Sequence, residues 1–248
     1  MKVLVIDVGG TNLKLSMGGP EEPVKVPSGP GLTAARMAAD VKAATAGWNY
    51  DAVSIGYPGP VVNGRPAEEP KNLGAGWVRF DYEKAFDKPV RVINDAAMQA
   101  LGSYQGGRML FIGLGTGMGS AFVANGQIEP LELAHLPYRH GRTYEDYVGL
   151  RGYKRMGRQK WQRHVETVVA LLKHGLQADY VMLGGGQTKK LKGLPPGVRL
   201  GNNSHAIQGG IRLWEAPVSE TVNPSKVKPP AAGGASSSTP SRRIADRS

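Results

Sequence analysis

Asn94 and Asp95 close the short apolar run Pro89–Ile93, and Ala96–Leu101 continues with the pattern of a helix. A carboxylate at the carboxyl end of a strand sits where α/β sheets gather their ligands, and there it can take a proton from an attacking hydroxyl. Taken alone, Asp95 reads more simply as the cap of the helix that follows. Two glycine turns offer a second chemistry. Asp7-Val8-Gly9-Gly10-Thr11-Asn12 ends the strand-like run Val3–Val8 and leads into the alternating stretch Leu13–Met17, which includes Lys14. Met109–Ile112 runs into Gly113-Leu114-Gly115-Thr116-Gly117-Met118-Gly119-Ser120, then Ala121–Ala124 and the turn Asn125-Gly126. Both are strand–loop–strand hairpins. Neither has the lysine of a P-loop, and neither opens a helix as a dinucleotide fingerprint does. Glycine lets backbone N–H groups turn toward an anion at close range, and Thr11 and Thr116 add hydroxyl donors. Turn geometry explains one such hairpin; two of the same design, each with a threonine, point to phosphate.

Glu132 and His135 are three residues apart, so a helix or turn puts them on one face. Such a pair can hold vicinal hydroxyls, ligate a metal or do neither. The chain has no cysteine, which excludes disulfides, thiolate metal sites and thiol nucleophiles, and a zinc site here would lack ligands. On its own the pair reads as surface.

The elements that must position these residues follow from composition. The 248 residues are 40% hydrophobic, with 35 Gly and 18 Pro, which favours many strands and turns over a helical bundle. The pattern reads mostly as strands first and helices later. No run of 18 apolar residues occurs, and Met1-Lys2 passes directly into a strand, so the expectation is a soluble cytoplasmic protein without a signal peptide. The net charge of +11 is concentrated in two places. Residues 217–248 hold five Lys/Arg and two acids among Pro, Gly and Ser, a composition that predicts a disordered tail. Residues 139–164 hold eight Lys/Arg and two acids. Their core is Arg151, Lys154, Arg155, Arg158, Lys160 and Arg163, running into the apolar-periodic helix Val165–Leu172. That cluster is either a solvated helical face or a polyanion-binding patch.

Together these segments resemble the ROK family of sugar kinases within the actin-like ATPase superfamily. Asp7-x-Gly9-Gly10-Thr11 resembles its first phosphate motif, Gly56-Tyr57-Pro58-Gly59-Pro60-Val61 its sugar loop, and Asn72-Leu73 with Trp77 the segment after it. Asn94-Asp95 resembles the catalytic pair, and Leu114–Gly119 the second phosphate motif. Leu183-Gly184-Gly185-Gly186, after the strand Tyr180–Met182, resembles the glycine stretch at the nucleotide site. The resemblance spans residues 2 to about 214. Two departures stand out. Ala134 replaces a usual glycine, and Gly141–Tyr147 occupies the place of a cysteine-rich zinc motif, with Glu145 matching its closing glutamate. The zinc-free form is similar to the polyphosphate glucokinase branch.

The resemblance implies an α/β, two-lobe actin-like ATPase (ribonuclease H-like) fold with a cleft between lobes at 1–104 and 105–216, and a homodimer. It implies phosphoryl transfer from polyphosphate or ATP to a hexose, most simply glucose, with Asp95 as general base. Gly59, Asn72, Asn94, Glu132, His135 and Glu145 are then the sugar ligands. Asp7, Gly9, Gly10, Thr11, Asn12, Lys14, Gly115, Thr116, Gly117, Gly184, Gly185 and Gly186 face the donor. Mg²⁺ would sit nearest Asp7, through water, with no zinc, and the basic cluster becomes a polyphosphate patch. Competing expectations are an ATP-only kinase for another hexose or N-acetylhexosamine, a non-catalytic ROK-type repressor, and a nucleic-acid-binding protein. The repressors carry an N-terminal helix-turn-helix, for which a strand starting at Val3 leaves no room. Aromatic single-strand motifs and a readout helix are lacking, so specific nucleic-acid binding is not expected.

Overall fold

The computed structural model of the chain describes residues 1–202 and 204–215; the tail expected over 217–248 lies outside them. The first half runs β1 (Val3–Val8), β2 (Asn12–Ser16), β3 (Val24–Pro27), α1 (Ala34–Ala44) and β4 (Ala52–Tyr57). It continues through a small ribbon, β5 (Val61–Val62) and β6 (Arg65–Pro66), to α2 (Tyr82–Phe86), β7 (Val90–Asn94) and α3 (Asp95–Ser103). The second half repeats the plan with β8 (Arg108–Leu114), β9 (Met118–Ala124) and β10 (Gln127–Leu131). After a ribbon of β11 (Pro137–Arg139) and β12 (Arg142–Thr143) come α4 (Tyr144–Val148), α5 (Leu150–Gly175), β13 (Tyr180–Gly184), β14 (Val198–Leu200) and α6 (Ser204–Arg212).

Two five-stranded sheets result, ordered β3-β2-β1-β4-β7 and β10-β9-β8-β13-β14. In each, an antiparallel meander is extended by two parallel strands. Helices therefore alternate with strands in both halves, which corrects the expectation of strands first and helices later. The early helix α1 escapes a reading based on large apolar residues because its buried stripe is Ala34, Met37, Ala38 and Val41. Their spacing is helical, but two of the four are alanines.

Side-chain alternation along the central strands builds the layers. Leu4, Ile6 and Val8 of β1 pack with Met37 and Val41 of α1 and with Phe86 of α2. Val3 and Val5 face the other way, toward Met98 of α3 and Ile207 of α6. Strand β8 does the same: Leu110, Ile112 and Leu114 meet Trp161 and Val165 of α5, while Met109 and Phe111 join the α3/α6 core. Helices α3 and α6 are thus a shared middle layer between the sheets. Asp7 follows Val3 and Val5 on the inner face of β1, so the alternation itself aims a carboxylate into the space between the sheets. Among the described residues no helix is long and apolar enough to cross a membrane.

Within the middle layer, α3 and α6 touch backbone to backbone. A Cβ at Gly102 would lie 1.8 Å from the His205 carbonyl oxygen, and one at Gly209 only 1.7 Å from that of Met98. Gly210 lies against Val5 in the same way, at 2.4 Å from Val5 Cγ1. The Ser54 hydroxyl donates to the Gly210 carbonyl at 2.6 Å, and Arg212 caps the end of α3 by donating to the carbonyls of Leu101, Gly102 and Tyr104. Gly209→Ala should therefore destabilise the fold by about 3 kcal/mol, the upper range for overpacking a closed contact. Gly175→Ala, where a Cβ meets nothing, should leave stability unchanged or slightly raised. Urea denaturation of the two variants beside the parent measures the contrast.

Candidate active site

The helix cap proves to be Asn94. Its side chain accepts from the Ala97 N–H at 3.1 Å, so Asp95, the first helical residue, is released from capping α3. This corrects the simplest reading of Asp95. The Asn94 amide also donates to the Gly59 carbonyl at 3.0 Å, tying the end of β7 to the loop after β4. Asp95 accepts one bond from the Ala96 N–H at 2.7 Å. Burial first, then the charge of Asp7 and to a lesser degree that of Glu132, pushes its carboxyl up to about 7, against the opposing pull of the Ala96 and Asp95 N–H groups. A carboxylate tuned near neutrality between two others is what a general base needs.

Asp7 is almost fully buried, and its Oδ2 pairs with Lys14 Nζ at 2.8 Å, the residue opposite it in the β1–β2 register. No cluster of three or more metal-binding side chains occurs among the described residues. Asp7 suits only the outer shell of a cation whose other ligands come from a donor and water. Gly9 closes the first turn through an N–H bond to the Asn12 carbonyl at 3.1 Å, where a Cβ would come within 2.8 Å of that oxygen. Thr11 and Gly10 remain exposed at its tip.

The second glycine turn lies against the start of α3. Gly119 approaches Ala96 so closely that a Cβ would lie 2.7 Å from the alanine methyl, which brings this turn beside Asp95. The backbone of Gly115 and Thr116 accepts from the Leu150 N–H that starts α5, at 3.2 Å each. Strand β13 lies parallel to β8 with Gly184 opposite Gly113, so Gly184–Gly186 emerges beside the same turn. Gly185, at φ +84, lies against the Leu114 backbone, where a Cβ would meet the carbonyl at 2.3 Å. Gln187 next to it has a buried Oε1 without a hydrogen-bond partner.

A cavity of about 330 Å³ gathers Gly59, Asn72, Glu132 and His135, together with Gly10 from the first glycine turn. Four expected sugar ligands from both halves of the chain thus share one wall. Glu132 opens a single turn of 3-10 helix (Leu133–His135) and His135 closes it, so the pair lies over a cavity and is not merely surface. Glu68, Glu69 and Lys71 line the same space, and sequence reasoning missed them. Their signal was the charged run leading into Asn72. Glu69 braces the wall by accepting from the Trp77 N–H at 3.0 Å.

Glu145 lies apart from that wall. It nestles under the second glycine turn, where a Cβ at Gly117 would come 2.2 Å from its Oε2. That oxygen accepts from the Met118 N–H at 3.3 Å, while Oε1 faces Arg151 at 3.6 Å.

The basic cluster lies on the first half of α5, which Gly157 breaks at φ 72 and ψ 167. The helix expected from Val165 therefore begins just after Gly157, with a separate helical piece from Leu150 before the break. Arg151 is engaged with Glu145 and Asp146, and Arg155 donates to the Asp146 carbonyl at 2.8 Å and lies over the Tyr147 ring. Lys154, Arg158, Lys160 and Arg163 are exposed. The segment after β13 adds cations that the sequence did not place there. Lys190 Nζ stands 3.7 Å from the Tyr153 ring, and Gln162 exchanges hydrogen bonds with the Lys192 backbone. A larger groove of about 510 Å³ runs between the end of α5 and Pro195–Val198, and none of the expected site residues lines it.

Comparison with known proteins follows the same lines. Residues 3–129 match the ROK family. The fold is similar to that of an inorganic polyphosphate/ATP-glucomannokinase from Arthrobacter sp. strain KM, at 23% identity and a TM-score of 0.70, covering 86% of this chain and 98% of that one. It is similar to a ROK family glucokinase from Streptomyces griseus in complex with glucose and AMPPNP, at 18% identity and 0.69, covering 86% and 99%. It is also similar to a ROK hexokinase from Thermus thermophilus, at 21% identity and 0.63, covering 87% and 100%. No match appears among curated proteins.

The raised Asp95 carboxyl has a stability consequence. Its folded value is about 7 against an ordinary value of 3.8, so the folded state holds the proton more tightly. Stability is then lost as pH rises from about 4 to 7 and stays lost above. Asp95→Asn removes that loss. The melting temperature of the variant should rise relative to the parent across this interval and hold a constant lead at higher pH, as calorimetry at pH 4, 5.5, 7 and 8.5 would record.

Proposed function

The chain belongs to the ROK family, and from that premise we propose that it is a sugar kinase with Asp95 as general base. It transfers a phosphoryl group from polyphosphate or ATP to a hexose hydroxyl, most simply the 6-hydroxyl of glucose. One observation carries the reading: Asp95 feels both Asp7 at the first phosphate turn and Glu132 at the cavity wall. A proton acceptor in that position lies between donor and acceptor substrates.

In this reading the two lobes, at 1–104 and 105–216, close on the sugar and exclude water that would otherwise take the phosphoryl group. Gly59, Asn72, Glu132 and His135 orient ring hydroxyls, and an absent hydroxyl would leave their polar groups unpaired. Asn94 contributes its remaining amide hydrogen and holds the Gly59 loop. Glu145 reaches the sugar side only by leaving Met118 and Arg151. Asp95 takes the proton as the hydroxyl oxygen attacks phosphorus. The backbone of Gly9, Gly10, Gly115 and Gly117, with the hydroxyls of Thr11 and Thr116, cradles the transferring group. Lys14 offsets the charge of Asp7, which would otherwise repel the donor. When bound, Mg²⁺ neutralises donor oxygens; Asp7 would hold it through water.

Two features bear on the donor. The exposed cations of α5, joined by Lys189 and Lys192, suit a long phosphate chain. The unpaired Gln187 oxygen beside Gly184–Gly186 favours a second donor that carries hydrogen-bond donors, as a nucleoside does and a phosphate chain does not.

Formation of hexose 6-phosphate should be seen with both polyphosphate and ATP, measured side by side over a panel of hexoses. Asp95→Asn should lower kcat by about 10²- to 10⁴-fold while hexose binding persists. Full turnover in a folded Asp95→Asn protein sinks the assignment. Replacing Lys154, Arg158 and Arg163 together by Gln should raise KM for polyphosphate by about tenfold and leave that for ATP unchanged. EDTA should stop turnover without lowering the melting temperature, since no described side-chain cluster holds a structural metal.

A further inference from the structure

We propose that Tyr138 and His164 are positioning residues for the hexose site, acting through the ribbon that joins the Glu132–His135 turn to the helix bearing Glu145. The inference rests on the kinase reading above.

The ribbon β11–β12 cannot hold itself. It has two cross-strand pairs, Pro137 with Thr143 and Arg139 with Arg142, and an irregularity between them. Its turn places His140 and Gly141 at positive φ, 50 and 68. A two-stranded ribbon of this length is not stable in water without side-chain anchorage. Yet it connects two segments of the proposed site. On one side Leu136 follows the Glu132–His135 turn, and its carbonyl accepts from the Tyr144 N–H at 3.2 Å. On the other, Thr143 caps α4 in a reciprocal capping box with Asp146, one residue beyond Glu145.

Tyr138 supplies the anchorage. Its ring lies 5.1 Å edge-on from Tyr147, 5.2 Å from Tyr144 and 5.7 Å edge-on from His164. Its hydroxyl lies 3.2 Å from His164 Nδ1. His164 in turn packs edge-on to Tyr147 at 4.6 Å. The platform beneath is fixed: Trp161, one turn earlier on α5, is fully buried and donates its indole N–H to the Val148 carbonyl at 2.7 Å. Burial, with Arg139 and Arg155 nearby, holds His164 below the ordinary histidine value. The lowered value favours the uncharged ring, and Nδ1 and the tyrosine hydroxyl share one hydrogen bond. A line of contacts thus runs from α5 through His164 and Tyr138 to the ribbon, and on to Glu132 and His135.

Tyr138→Phe keeps the ring and removes the bond, and His164→Leu removes the hydroxyl's partner. Each should raise KM for the hexose by three- to tenfold, with kcat and the donor KM within twofold of the parent. His164→Gln keeps a hydrogen-bonding group near that position and should bring the hexose KM back toward the parent value. A role confined to stability would lower the melting temperature and leave the hexose KM untouched in assays held well below melting. That result overturns the proposal. Amide hydrogen exchange separates this failure from that of the kinase reading. If the parent phosphorylates no hexose, faster exchange over residues 132–146 in Tyr138→Phe still upholds the positioning contact. Exchange identical to the parent removes it.

Discussion

Two glycines in contact set the position of everything that could react. Gly102 of α3 and Gly209 of α6 let the helices cross with no side chain between them, so neither helix can slide without breaking backbone packing. The first residue of α3 is Asp95, and its neighbours are held by further close approaches, Ala96 under Gly119 and Met98 under Gly56. The carboxylate is thus registered to both sheets at once. A larger side chain at the crossing would shift α3 along its axis and move the acid relative to both glycine turns. The distance between the proposed base and the two glycine turns is a packing distance, fixed far from either.

Charge is managed less comfortably. Asp95 feels the charges of both Asp7 and Glu132 in a buried position, and of the three only Asp7 has a cationic partner among the described residues. Such a site opposes the fold slightly and any anionic donor strongly. The remedy is spread over the rim: backbone N–H groups of two glycine turns, Lys14, and a cationic face on α5. Acid in the middle and base around it is the arrangement expected where an anion must come close to a proton acceptor without binding it.

Much of this was legible from residue order. The strands Val3–Val8 and Met109–Ile112, both glycine turns and the Asn94-Asp95 junction stand where alternation and turn chemistry put them. The common design of the two hairpins already hinted at the repeated topology. What escaped reading has physical causes. Helix α1 hides behind alanines, whose burial depends on what packs against them. Which of Asn94 and Asp95 caps α3 turns on a backbone angle of one residue, which composition cannot express. Arg151 and Arg155 look like free cations in sequence but have partners in Glu145, Asp146 and Tyr147, and Lys190 meets Tyr153 from a segment far along the chain. The position of Glu145 under Gly117 is likewise a tertiary fact, visible only as a glycine that tolerates a neighbour.

The shared middle layer also orders events in time. Val3 and Val5 of the first strand are covered by Ile207 of a helix about 200 residues later in the chain. A ribosome producing this chain releases β1 long before its partner exists. The part of the first sheet's inner face over β1 therefore stays only half covered, by α3 alone, until α6 has emerged. Shortening the chain before residue 204 would leave Val3 and Val5 without their α6 cover for good, exposing apolar surface before any question of catalysis arises.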